Sequence, residues 1–268
     1  MTENLDLVVS IAHYNTPELL KSCLRALAEE GSPLKKKIVV IDNASTPALQ
    51  ARDLAEFPDV DLIQNTSNTG FGSANNQAFA RWRAEAYLVT NPDVHVSPGS
   101  LSRLLDRLRA QPKLGIIGAG LRYPDGRGQA SCRRYPTLRS VLLRGLLPES
   151  LARNFPSIRR YMMLDDDIAA PTAVDWVLGS CLFMRGRAVH ETGGFDENFF
   201  MYYEDVDLCC RVRQAGWLVE YNPSVQWTHE YRRESARSLR LGLKAAHFKS
   251  AMRFLRKHLA FRGAWSSI

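Results

Sequence analysis

The sequence predicts an α/β fold, with a mostly parallel central sheet covered by helices on both faces. Two observations lead to it. Over the first hundred residues short β-branched runs alternate with helical stretches, and the strand-like runs are apolar almost throughout rather than at every second position. Strands of that kind are buried on both faces, as in parallel sheets. With 268 residues, 45% of them hydrophobic and 24% charged, the chain is also long enough to enclose a substantial core.

The elements are read in order. "LDLVVSIA" (5–12) is a strand and "PELLKSCLRALAEEG" (17–31) a helix closed by Gly31. "KIVVIDN" (37–43) and "VDLIQN" (60–65) are strands, "SANNQAFARWRAEA" (73–86) a helix, and "YLVTNPD" (87–93) a further strand with its loop. "SPGSLSRLLDRLRA" (97–110) reads as a helix with Ser97 as N-cap and Pro98 at N1. "KLGIIGAGL" (113–121) is a strand of small residues. From 122 to about 170, Arg, Pro and Gly interrupt any period, apart from the amphipathic "LRSVLLRGLL". "AVDWVLGSCLFMR" (173–185) reads as a strand pair or one long bent strand, and "WLVEYNP" (217–223) as the last strand. Over 237–260 the apolar residues Leu241, Ala245, Phe248, Met252, Leu255 and Leu259 form one helical stripe. This helix either packs on the domain or attaches to an anionic surface.

Composition excludes several classes. No apolar run approaches the roughly 20 residues of a membrane-spanning helix, and neither a signal peptide nor an anchor is read at the N-terminus. The five cysteines make no C-x-x-C pair, which argues against a zinc knuckle or a disulfide framework and suggests a reducing, cytoplasmic setting. The net charge of +7 is concentrated: residues 230–268 carry a local +8 and residues 122–160 a local +7. Such segments suit phosphate-rich partners or an anionic membrane. They lack interleaved stacking aromatics, so nucleic acid is not expected as a partner.

In a parallel sheet, ligands bind at the carboxyl ends of the strands, where four polar loops lie. In "TNPD" (90–93), Asp93 either holds a divalent cation or only makes a turn. In "DNAST" (42–46), Asp42 either accepts hydrogen bonds from a nucleoside or caps a helix. In "NTGFGSANNQA" (68–78), Gly70 and Gly72 would let backbone approach a ligand before a helix N-terminus. Walker A, H-E-x-x-H, G-x-S-x-G and dinucleotide fingerprints do not occur in a fitting context. In "NFFMYYEDVDLCCRVRQAG" (198–216), Glu204 and Asp205 follow five bulky residues. They either cap the helix that begins there or furnish a general base.

Taken together and in order, "VSIAHYN", "VIDNAS", "NTGFGSANN", "TNPD", "VDWVLGS" and "GGFDENFFMYYEDVDLCCRVRQAG" with a later His resemble the inverting, metal-dependent glycosyltransferase family 2 over about residues 5–230. More narrowly, "SCRRYPTL" (131–138), "VDWVLGS" and "FFMYYEDVDLC" resemble bacterial rhamnosyltransferases that act on N-acetylglucosamine carried by a diphospho-polyprenol lipid. The resemblance implies the GT-A fold over 1–230, with a nucleotide-sugar half (1–96), an acceptor and catalytic half (97–230), and a basic C-terminal helical extension (231–268). It implies catalysis by Asp205 with Glu204 beside it. Donor contacts would come from His13, Asn15, Asp42, Asn43, Gly70, Phe71, Gly72, Asn75, Asn76 and Asn91, and acceptor contacts from Trp176, Gly179, Ser180 and Glu204. Mg²⁺ or Mn²⁺ would lie at Asp93 and His229. Asn91 stands where the family's D-x-D has its first Asp, so one carboxylate fewer faces the cation.

The implied reaction passes L-rhamnose from dTDP-L-rhamnose to a lipid-linked diphosphate acceptor for a cell-surface polysaccharide such as O-antigen. The enzyme would be peripheral on the inner face of the plasma membrane, with Arg133, Arg134 and the basic face of 237–257 toward the head groups. The alternative is a UDP-hexose donor and another glycan acceptor. A nucleotidyltransferase would need a Gly/Arg/Lys-rich triphosphate loop after the first strand, and "IAHYNTPE" is not one.

Overall fold

The computed structural model describes residues 5–230 and 240–258. In chain order the elements are β1 (Leu5–His13), α1 (Pro17–Glu29), β2 (Lys36–Asp42), β3 (Val60–Gln64), α2 (Phe71–Arg81) and β4 (Ala84–Thr90). They continue with β5 (Val94–His95), α3 (Ser100–Ala110), β6 (Leu114–Arg122), β7 (Gly128–Gln129), β8 (Cys132–Arg133), α4 (Leu138–Leu146), α5 (Glu149–Ala152) and α6 (Pro156–Met162). The last are β9 (Thr172–Ala173), β10 (Trp176–Val177), β11 (Cys181–Arg185), α7 (Gly186–Thr192), α8 (Glu204–Gln214), β12 (Leu218–His229) and α9 (Arg240–His258).

The main sheet runs β3-β2-β1-β4-β11-β6-β12-β5. Strands β3, β2, β1 and β4 are mutually parallel, as are β6 and β12, while β11 is antiparallel to both its neighbours. The sheet is therefore mixed with mostly parallel strands. Side chains of β1 alternate between two cores: Val8 joins one, and Leu7, Val9 and Ile11 the other, packed with Leu20, Leu24 and Leu27 of α1 and Leu101, Leu104 and Leu108 of α3. Burial on both faces is why the strand shows no polar alternation. The registers His13↔Asp42 and Ile11↔Thr90 align the carboxyl ends of β1, β2 and β4, so their loops share one edge.

Several expectations shift. Helix α2 begins at Phe71 and ends at Arg81, because Trp82 turns extended (φ −124°, ψ 142°) and the chain enters β4 at Ala84. Ser97 does not cap α3. The N-cap is Gly99 in the left-handed region (φ 64°), and Ser97 accepts from Ser100 N–H through its carbonyl at 3.1 Å. The stretch 173–185 is neither a pair nor one bent strand but contributes to β9, β10 and β11, which lie in different ladders.

Helix α9 is rotated from its expected face. Phe248 is 51% exposed, whereas Ala251, Phe254 and Leu255 are buried together with Ser250 and His258. The polar pair can sit inside because both find partners: Ser250 Oγ donates to the Met201 carbonyl at 2.8 Å, and His258 Nε2 lies 2.8 Å from Asp207 Oδ1. Leu259 and residues 231–239 lie outside the described residues.

Candidate active site

At the carboxyl ends of β1 and β2, His13 Nε2 accepts from the Thr16 N–H at 3.1 Å, so the ring proton sits on Nδ1, 3.2 Å from Asp42 Oδ1. Burial lowers the histidine's pKa against the opposing pull of Asp42, so the ring is neutral. Burial pushes the Asp42 carboxyl upward, but hydrogen bonds from Ser45, Leu49 and His13 outweigh it and hold the group below its usual range. Asn15, at φ 55°, donates its N–H to Ser45 Oγ (2.9 Å) and accepts from Thr46 N–H (2.7 Å). These contacts lace the two loops into one floor.

The next loop is organised around Asn43, whose Oδ1 accepts from Asn65, Thr69 N–H and Thr69 Oγ1 while its Nδ2 donates to Asn68 and the Gly70 carbonyl. Asn43 is thus a buried hub that shapes the donor-side loop rather than an amide open to a ligand. The two glycines likewise yield space to the chain itself. At Gly70, with φ 86°, a Cβ would stand 2.3 Å from the Phe200 carbonyl oxygen, and at Gly72 it would stand 2.8 Å from Phe195 Cβ. Phe71 meets Phe195 edge-on at 5.9 Å.

Asn75 and Asn76 need correction as donor contacts. Asn75 is fully buried, accepting from Ser10 Oγ (2.6 Å) and donating to the Phe71 carbonyl (2.8 Å). Asn76 donates to the Phe195 carbonyl and accepts the Phe195 N–H, both at 2.9 Å. Their amides tie α2 to β1 and to the segment before α8.

After β4, Asn91 leads into Asp93, and β12 ends beside it at His229. Gln129 donates its amide to the His229 carbonyl (2.9 Å), which fixes the amide so that its Oε1 receives the His229 Nδ1 proton at 2.8 Å. Nε2 of the same ring faces Asp93 Oδ1, 3.3 Å away. That carboxylate oxygen is buried and makes no hydrogen bond. Two groups facing each other at this separation could both reach a cation, and an imidazole oriented through a hydrogen bond at its other nitrogen is held as metal-binding histidines usually are. Among the described residues no cluster of three or more His, Cys, Asp or Glu forms around a common point, so two protein ligands would leave positions for phosphate oxygens and water.

On the other side, β10 turns at Leu178–Ser180 into β11. Leu178 N–H donates to the Ser131 carbonyl at 3.0 Å, and the Ser180 carbonyl accepts from Thr90 Oγ1 at 3.1 Å. This turn aims the Gly179 N–H at Asp205 Oδ2 (2.9 Å), while Val206 N–H holds Oδ1 at 2.8 Å. Enclosure by protein raises the Asp205 pKa, opposed by those two N–H groups and the nearby charge of Arg133. Glu204 is buried with Oε2 unbonded, and burial followed by the charge of Asp205 pushes it well above the usual carboxyl range. Tyr202 and Tyr203 both adopt positive φ (67° and 68°) immediately before this pair. Consecutive non-glycine residues in the left-handed region cost of order 1–3 kcal/mol each and persist only where surroundings hold them. Helix α9 supplies that hold through His247, whose ring lies 5.2 Å from each tyrosine ring, and Phe254, 5.8 Å from Tyr203. Asp207 faces away into a cluster with Arg211, Lys257 and His258 that fastens α9 to α8.

Trp176 also needs correction. It is 5% exposed, its indole N–H donates to the Arg134 carbonyl at 2.9 Å, and the Arg133 guanidinium covers its ring at 5.3 Å. It packs beneath Arg133.

The sequence profile of glycosyl transferase family 2 matches residues 8–162, and that of glycosyl transferase family group 2 matches residues 87–258. The N-acetylglucosaminyl-diphospho-decaprenol L-rhamnosyltransferase of Mycobacterium tuberculosis is 35% identical over 230 residues, covering 81% of this chain and 74% of that protein. The chain belongs to glycosyltransferase family 2.

A further relative is the rhamnosyltransferase WbbL of Escherichia coli K12, 27% identical over 82% of this chain and 81% of its own. The fold is shared with the mannosyltransferase PcManGT of Pyrobaculum calidifontis, solved with GDP-Man and Mn²⁺ (TM-score 0.60, 20% identity, 94% of this chain and 65% of that one). GalNAc-T7, solved with UDP, GalNAc and Mn²⁺, superposes with TM-score 0.65 at 14% identity over 86% of this chain and 44% of its own. This family 2 glycosyltransferase thus has the α/β GT-A fold expected of it. Two features of its site escaped the sequence: Gln129, which sits in the unpatterned "GRGQAS" and gave no signal, and the paired left-handed tyrosines, whose strain is invisible in one dimension.

Proposed function

We propose that this glycosyltransferase moves L-rhamnose with inversion from dTDP-L-rhamnose to the sugar of an N-acetylglucosaminyl-diphospho-polyprenol in cell-surface polysaccharide synthesis. The observation that carries the reading is the carboxylate of Asp205, fixed by the N–H groups of Gly179 and Val206, in a chain 35% identical to an enzyme of that name. Each Asp205 oxygen keeps a further lone pair, and its raised proton affinity suits a base. In this reading Asp205 takes the proton of the acceptor hydroxyl as that oxygen attacks the anomeric carbon from the face opposite the leaving dTDP. One displacement inverts the centre. Glu204, held protonated by burial, donates to the acceptor. Residues 1–96 form the donor half, with His13, Asn15, Asp42, Phe71 and Asn91 around the nucleotide, and 97–230 the acceptor half, with Gly179 and Ser180 at its wall.

Asp93 and His229 would hold Mg²⁺ or Mn²⁺, which when bound neutralises charge on the departing diphosphate. The enzyme works at the inner membrane surface. Among the described residues no helix is long and apolar enough to cross a membrane. Instead α4 and α5 expose Leu138, Leu142, Leu146 and Leu151 amid Arg139, Arg144 and Arg153. That combination suits the anionic interface of a bilayer.

The test is turnover of purified protein with dTDP-L-rhamnose and a lipid-diphospho-GlcNAc analogue, against UDP-glucose and UDP-galactose. Preference for a UDP-hexose, or no turnover with any deoxysugar nucleotide, overturns the donor assignment.

A further inference from the structure

We propose that Arg133 is the binding residue for the diphosphate of the acceptor, a site that rests on the function proposed above and specifies where its lipid-linked substrate is gripped. Arg133 ends β8, which pairs only with β10 in a two-stranded sheet apart from the main one. Its Nε and Nη1 are buried and make no hydrogen bond. Buried guanidinium donors without an acceptor are unfavourable, so a group that keeps them free is generally waiting for an anion from outside.

The surroundings explain why no protein carboxylate fills that role. Asp175, the nearby acid, already accepts from Tyr135 N–H at 2.8 Å and is paired with Arg213. Asp205 is turned toward Gly179 and Val206. The Trp176 ring beneath Arg133, 5.3 Å from its Cζ, holds the guanidinium plane in place. A planar fork of donors matches phosphate oxygens in pairs, which a lysine cannot do.

The position selects between the two diphosphates of the reaction. The donor's belongs with Asp93 and His229, at the ends of β4 and β12. Arg133 instead stands on the Asp205 side, close enough for its charge to act on that carboxylate. A phosphate held there belongs to the molecule whose hydroxyl Asp205 deprotonates. The acceptor sugar then spans the gap, its anomeric diphosphate on Arg133 and its reacting hydroxyl on Asp205. The lipid beyond the diphosphate is met by α4, which starts five residues later and exposes Leu138, Leu142 and Leu146.

The experiment measures binding of geranyl diphosphate and of geraniol to the wild type, Arg133→Gln and Arg133→Lys, followed by steady-state kinetics with both substrates. The expected result is a geranyl diphosphate affinity lower by about tenfold or more in Arg133→Gln, and lower by less in Arg133→Lys, which retains charge and fold. Geraniol binding stays unchanged. In turnover, KM for the lipid-diphosphate acceptor rises by a larger factor than kcat changes, while KM for the donor holds. Equal affinity for geranyl diphosphate in all three proteins, or a rise confined to the donor's KM, overturns the assignment. Since the probe carries no sugar, a wild type that binds it through Arg133 yet transfers no rhamnose sinks the proposed donor and leaves this site standing.

Discussion

The Gly179 N–H donates to Asp205 Oδ2 across 2.9 Å, joining two motifs 26 residues apart in the chain. A side chain at 179 would bring a Cβ within 3.2 Å of Phe71 Cε1. The glycine therefore lets Phe71, the turn between β10 and β11 and the Asp205 carboxylate converge.

Asp205→Asn keeps the shape but can satisfy only one of the two N–H groups, through its amide oxygen, and cannot accept a proton. Turnover falls by at least about a hundredfold, the lower range for losing a general base, while the circular dichroism spectrum remains that of the folded protein. Activity near that of the wild type would reduce Asp205 to a helix-capping residue.

Glu204 has its pKa raised in the folded state by burial and then by Asp205. The folded protein therefore binds this proton more tightly than the unfolded chain, and stability declines as pH rises from the ordinary carboxyl range toward the raised value. Glu204→Gln mimics the protonated form. Its melting temperature exceeds that of the wild type at neutral to mildly alkaline pH, and the gap closes below about pH 4, where the unfolded glutamate is also protonated. Parallel melting curves at all pH values would contradict a buried protonated Glu204.

Asn75→Ala removes an amide engaged with Ser10 and Phe71. Leaving those buried groups unpaired costs about 1–3 kcal/mol of stability, read by urea denaturation, while KM for the nucleotide sugar is unaltered. A raised donor KM without destabilisation would return Asn75 to the donor site.

Gln129→Leu frees His229 Nδ1 from its acceptor. Half-activation by Mn²⁺ shifts to a concentration about 10–100 times higher, as for loss of a group that orients a metal ligand. The same titration in the wild type tests whether two protein ligands suffice where Asn91 replaces an acid.

Leu142→Ser with Leu146→Ser removes apolar surface that is 43% and 79% exposed. Co-sedimentation with vesicles containing anionic lipid drops about tenfold or more, and turnover of a water-soluble acceptor does not change. Unaltered sedimentation would assign membrane contact to another face.

The positions of several candidate residues were legible because each lies next to a strand end or opens a helix. Asp42 and Asp93 follow apolar strands whose burial brings their loops to one edge, and Asp205 opens a helix. What misled was local chemistry without its partners. Asn75 and Asn76 follow a glycine loop as ligand-binding amides often do, but α2 turns them toward Ser10 and Phe195. Gly70 and Gly72 admit the chain's own Phe200 and Phe195. The apolar period of the C-terminal segment placed its stripe through Phe248, yet the helix buries Ser250 and His258 because Met201 and Asp207 satisfy them.

By itself the sequence determined the α/β architecture, the order of its strands along the chain, and the acids that follow them, since hydrophobic periodicity and turn residues are local properties. Only the tertiary structure decided which polar groups are already satisfied and which remain open. Satisfaction depends on partners distant in sequence, as with Asn76 and Phe195 or His229 and Gln129. Glu204 Oε2, Asp93 Oδ1 and the Nε and Nη1 of Arg133 are buried without a hydrogen bond, which no stretch of sequence reveals.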